Sequence, residues 1–146
     1  MTLRHFSVVV AAALLVSAGA RAARAQQDTS ASAKPALSTL SDVYTEKQAA
    51  RGEVTFRNVC LNCHAVSDYT GEVFKTKWVG GTAFDLFEII RSSMPEHEPG
   101  SLSRQQYADL VAYLFKLNDL PAGKTELATD KAGLQAVKIA VKDSTP

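Results

Sequence analysis

Cysteine is scarce. Two residues in 146 cannot staple a disulfide scaffold, which in an exported chain of this size ordinarily carries four or more. Charge of one sign is lacking as well. The 16 Lys and Arg stand against 15 Asp and Glu, and three of the bases (Arg4, Arg21, Arg24) lie in the first 25 residues. Without those residues the balance is 13 basic against 15 acidic, or −2, and there is no basic footprint for a nucleic acid. No apolar run reaches the roughly 18 residues of a spanning helix. The longest, residues 6–20, follows Arg4 and His5 and is followed by Ala23-Arg24-Ala25, an A-x-A cleavage pattern. Residues 1–25 are therefore expected to be a signal peptide, with an uncleaved anchor as the competing reading. Cleavage before Gln26 leaves 121 residues, expected in the periplasm with no membrane span. A chain of that size buries only a modest core of its own, so a bound cofactor could supply part of the interior.

Residues 26–40 are rich in Ser, Ala, Gln and Thr and are expected to be a flexible lead-in. A domain is expected over 41–127, and 128–146 as an extension packed on it or trailing from it. Thr45 and Gln48 have capping-box spacing, and Ala49, Gly52, Phe56 and Val59 then share one helical face that runs into Cys60. Residues 65–81 show no period and are expected to form a loop. A second helix is expected from Thr82 and Asp85, with Ala83, Phe87, Ile90 and Met94 on one face, ending at Pro95. A third starts at the Ser103/Gln106 box with Leu102 and Tyr107 as hydrophobic staple. Tyr107, Leu110, Val111 and Leu114 continue it toward Asn118. Residues 136–141 alternate imperfectly, and no convincing strand pairing is visible. The expected class is all-α.

The residues that carry chemistry are Cys60-Leu61-Asn62-Cys63-His64. C-x-x-C-H is the attachment signature of c-type haem. Thiols at i and i+3 on a helical turn share a face, so both can add to the vinyl groups along one porphyrin edge. His64 is then carried under the ring as an axial iron ligand. Competing readings are a thioredoxin-like redox pair, half of a zinc site completed by His97 or a carboxylate, and a plain disulfide. The thioredoxin reading wants a strand-to-helix junction, whereas here the pair follows a helix. Met94, 30 residues after His64, is the one methionine beyond Met1 and the expected sixth ligand. Its rival is His97, which lies between Glu96 and Glu98 and so favours water.

With these residues in view the chain resembles the class I monohaem c-type cytochromes, the exported bacterial kind, over residues 44–127. The resemblance implies a small all-α cytochrome c fold, three to four helices and long loops around one covalently bound haem. It matches Gly52 and Phe56 to the N-terminal helix, where Gly permits close crossing by the C-terminal helix with Tyr113 at the contact. Asp85-Leu86-Phe87-Glu88, Met94-Pro95, 99–103, Tyr107, 112–114 and 118–123 are similar to small cytochromes that accompany quinoprotein dehydrogenases. The implied activity is electron transfer, not catalysis. Electrons would come from such a dehydrogenase or a quinol-oxidising complex and pass to a terminal oxidase or another cytochrome. Trp78 would donate to a haem propionate, as a loop Trp does in related cytochromes, or only pack. Phe74, Phe84, Phe87, Ile90 and Leu102 are candidate haem-wall residues, and Lys75 and Lys77 candidate propionate or partner contacts. One departure stands out: residues 65–77 contain no proline, so the usual carbonyl acceptor for the ring N–H of His64 is missing. The other functional readings are a haem enzyme or gas-binding sensor with an open iron, and a thiol oxidoreductase using Cys60 and Cys63.

Overall fold

A computed structural model describes residues 37–142. The signal peptide expected at 1–25 and most of the lead-in lie outside the described residues. The element order is β1 (Leu37–Ser38), α1 (Glu46–Thr55), a π-helical turn (Phe56–Cys60), a 3-10 turn (Val66–Tyr69), α2 (Gly71–Trp78), α3 (Ala83–Ser93), α4 (Arg104–Leu117), α5 (Lys131–Gln135) and β2 (Val137–Lys138). It is a small all-α fold with a vestigial sheet.

The central element is α4. Ser103 and Gln106 close a reciprocal capping box at its start, and nine consecutive residues, Tyr107 to Phe115, are buried. A helix apolar nearly all round must be covered on every side, and α1 covers one side. Gly52 makes the crossing possible: a Cβ there would stand 1.9 Å from the Asp109 carbonyl oxygen and 2.9 Å from Tyr113 Cβ. Only a residue without a side chain allows backbones so close. Beside this contact the Arg51 guanidinium donates to both carboxylate oxygens of buried Asp109, at 2.8 and 2.9 Å, and to Glu126 at 2.9 and 3.0 Å. The fork geometry suits a buried carboxylate that must be fully partnered.

The first capping box is only half made. Thr45 accepts from the Gln48 N–H, but the Gln48 amide is fully buried and exchanges two hydrogen bonds with the Leu127 backbone. Satisfying a buried loop backbone outweighs a reciprocal cap at the surface. On α3, Thr82 and Asp85 form both bonds of their box. The residue before Pro95 takes an extended backbone, so α3 ends at Ser93 with Met94 at its C-cap.

Two expectations are corrected. Residues 65–81 are not a loop: they hold the 3-10 turn and α2. Only Phe74 of α2 is buried, so two helical turns leave no apolar period in the sequence. Asn118, at the end of α4, ties this segment down, donating to the Tyr69 carbonyl and accepting from the Gly71 N–H. Strand pairing also exists. β1 and β2 pair in parallel, Leu37 with Val137 and Ser38 with Lys138, a ladder too short to reveal alternation. Leu37 to Leu40, at the end of the lead-in, thus join the fold, with Thr39 buried and its hydroxyl bonded to both backbone groups of Ala140. Leu134, Val137 and Ile139 are buried, and Ile139 exchanges backbone bonds with Gly80 and Gly81.

Candidate functional site

After Thr55 the backbone of α1 widens into the π-helical turn, and the Leu61 N–H reaches back five residues to the Phe56 carbonyl. The chain then tightens: the N–H groups of Cys63 and His64 both donate to the Cys60 carbonyl, at 3.1 and 3.0 Å. A π turn inserted in a helix re-aims the residues that follow it, a device frequent at functional sites. Here it delivers Cys60, Cys63 and His64 to the wall of a cavity of about 440 Å³. Met94 and its loop reach the same cavity from the end of α3. Phe56, Ile90, Leu102, Leu110 and Leu114 supply apolar walls, with Tyr69 and Tyr107 among them. That size and lining are of the kind that holds a cofactor.

The two cysteines form no disulfide with each other, and Cys60 is half-buried and Cys63 exposed. Burial pushes the Cys60 thiol above its ordinary pKa. That disfavours Cys60 as the attacking thiolate of a redox pair. The zinc reading lacks support too: among the described residues no group of three or more His, Cys, Asp or Glu side chains could hold a metal ion. A large apolar ring tethered by two thioethers fits better, because the cavity pairs apolar walls with two adjacent thiols, an imidazole and a thioether.

His64 is about two-thirds buried, its ring edge-on to Tyr69 at 5.4 Å. Its Nδ1 lies 3.9 Å from Asp68 Oδ2, too far for a hydrogen bond. The same carboxylate oxygen accepts from the Ala65 N–H at 2.9 Å.

All four of Cys60, Cys63, His64 and Met94 line the one cavity, and His97 joins them as an exposed side chain flanked by exposed Glu96 and Glu98. Trp78 is not among the lining residues; it packs half-buried against the core, with Lys77 Nζ 5.2 Å from its ring centre. Of the five expected wall residues, Ile90 and Leu102 face the cavity, while Phe74 and Phe87 are buried in the protein core and Phe84 packs against it. Lys75 pairs with Glu72. The structure adds Phe56, Tyr69, Leu110 and Leu114 to the wall. The spacing of Tyr107, Leu110 and Leu114 on one face was visible, but that face serves core and cavity alike.

Residues 47–114 match the family described as cytochrome c oxidase, cbb3-type, subunit III. Searches of curated proteins and of solved structures find no match. The matched span contains the C-x-x-C-H turn, the α1–α4 crossing and the Met94 loop, and a c-type cytochrome domain carries covalently bound haem. Residues 47–114 form a c-type cytochrome domain, an all-α haem-carrying domain of the electron-transfer kind.

Proposed function

We propose that this protein carries single electrons in the periplasm, with one haem bound through thioethers at Cys60 and Cys63 and iron held by His64 and Met94. The observation that carries the proposal is the convergence of these four side chains on one apolar cavity. The haem supplies the redox chemistry, cycling between Fe(III) and Fe(II). The chain's own residues set the conditions for it. With His64 and Met94 both holding the iron, no coordination position would stay open, and the bound haem would change oxidation state without ligand exchange. A thioether donor and apolar walls raise the reduction potential relative to a bis-histidine or solvent-exposed site.

The exposed Cys63 marks the edge at which a partner would receive the electron. The family match supports a terminal oxidase among the partners. Resemblance along residues 85–123 supports a quinoprotein dehydrogenase or quinol-oxidising complex as donor, and another cytochrome is a further acceptor. Among the described residues no helix is long and apolar enough to cross a membrane.

Two assays test the proposal. A pyridine haemochrome of the denatured protein should show haem that stays with the chain and carries two saturated vinyl groups. Carbon monoxide added to the native ferrous protein should leave its spectrum unchanged. Extractable haem would overturn the attachment, and rapid carbon monoxide binding would favour an open-iron enzyme or gas sensor.

A further inference from the structure

Tyr107 lies at the fourth position of α4, 1 % exposed, and lines the cavity beside Met94. A buried phenol must place its O–H somewhere. This one donates to the Met94 carbonyl at 2.8 Å and accepts, at a longer 3.4 Å, from the Leu102 N–H. Phe87 packs edge-on against its ring with centres 6.0 Å apart, so the hydroxyl has little freedom to turn away. The Met94 carbonyl has one other donor, the Gly100 N–H at 3.4 Å. Beyond Met94 the chain passes through Pro95 and exposed Glu96, His97 and Glu98. A methionine side chain is unbranched and flexible and does not hold its own sulfur in place. Its backbone must be fixed instead, and the short bond that fixes it comes from the most deeply buried helix of the fold.

We infer that Tyr107 is a positioning residue for the sixth ligand: through the Met94 carbonyl it holds the methionine sulfur at the iron and resists its replacement. The inference rests on Met94 being that ligand. Losing the hydroxyl leaves the carbonyl with one long partner, and the lost hydrogen bond should appear directly in the competition between methionine and an external ligand.

The test is imidazole titration of the ferric holoprotein in three forms: wild type, Tyr107→Phe and Tyr44→Phe. Tyr44 is as deeply buried and donates to the Leu120 carbonyl, away from the cavity. Both variants should melt at lower temperature. Tyr107→Phe alone should bind imidazole about five- to tenfold more tightly, the equivalent of the ~1–1.4 kcal/mol typical of one hydrogen bond. Equal imidazole affinity in the two variants would overturn the positioning role and leave the ligand assignment standing. A parallel Met94→Ala sample separates the two failures. If it keeps the sulfur-to-iron charge-transfer band of the ferric protein, the ligand assignment falls and the inference with it.

Discussion

The α1–α4 crossing and the α3–α4 side of the molecule bury helix faces by different means. At the crossing the chain is its own partner. Gly52 lets the backbones touch, Arg51 bridges Asp109 and Glu126, and Gln48 satisfies Leu127. On the other side, Phe56, Ile90, Leu110 and Leu114 face a cavity of about 440 Å³. Interiors are close-packed, and a void of that size forfeits the contacts its walls would otherwise make. One half of the core is therefore complete as protein, and under the proposed site the other half would be completed by the haem.

Removing the tether should break the comparison most severely. Cys60→Ala with Cys63→Ala should give little folded protein, measured as loss of the cooperative thermal transition seen by circular dichroism. A stable helical apoprotein melting where the holoprotein melts would mean that the cavity side closes unaided.

Next in size is Gly52→Ala. Its new Cβ meets backbone, not a movable side-chain end, so the helices must separate. A loss of about 3 kcal/mol is expected in urea unfolding, at the upper end of typical overpacking costs. The absorption spectrum of the folded fraction should stay close to wild type, because the damage falls on the closed half.

Arg51→Met should cost less, about 1–3 kcal/mol, chiefly by leaving the Asp109 carboxylate buried with Gln105 as its remaining side-chain partner. Arg51 itself is 38 % exposed, so little of the effect comes from the arginine's own burial. Urea unfolding of Arg51→Met beside Asp109→Asn would show whether the uncompensated charge dominates: the double variant should recover part of the loss.

The smallest effect concerns the helix that carries Met94. Bonds from the Thr82 N–H and hydroxyl hold the Asp85 carboxyl below the usual carboxylate range. Its charged form thus favours the folded state. That contribution is full above the unfolded value, near pH 4, and is lost as pH falls through the lower folded value. Melting temperature against pH from 2 to 5 should fall less steeply in Asp85→Asn than in wild type.

What the sequence revealed was local, and what it hid was long-range. Cys60 to His64 declare themselves by spacing, and Ser103 with Gln106 marks the start of α4 to the residue. Met94 stands out because a proline follows it at a helix end. The helix α2 escaped because one buried side chain, Phe74, makes no pattern. Gln48 looked like a cap because capping and tertiary bonding use the same amide. Trp78 sits beside the right loop in sequence yet outside the cavity, a distinction that only the path of α2 decides. The bond from Tyr107 to the Met94 carbonyl joins residues 13 apart with two prolines, Pro95 and Pro99, between them, and no periodicity encodes it.

The near-infrared spectrum of the ferric holoprotein at neutral pH, taken for wild type, Met94→Ala and His97→Ala, tests the proposed site most directly. A weak sulfur-to-iron charge-transfer band is expected in wild type and His97→Ala and should vanish in Met94→Ala, with a lowered reduction potential. A band that survives Met94→Ala, or a wild-type protein that lacks it and changes its axial spectrum only in His97→Ala, would contradict the His64–Met94 site and point to two histidines.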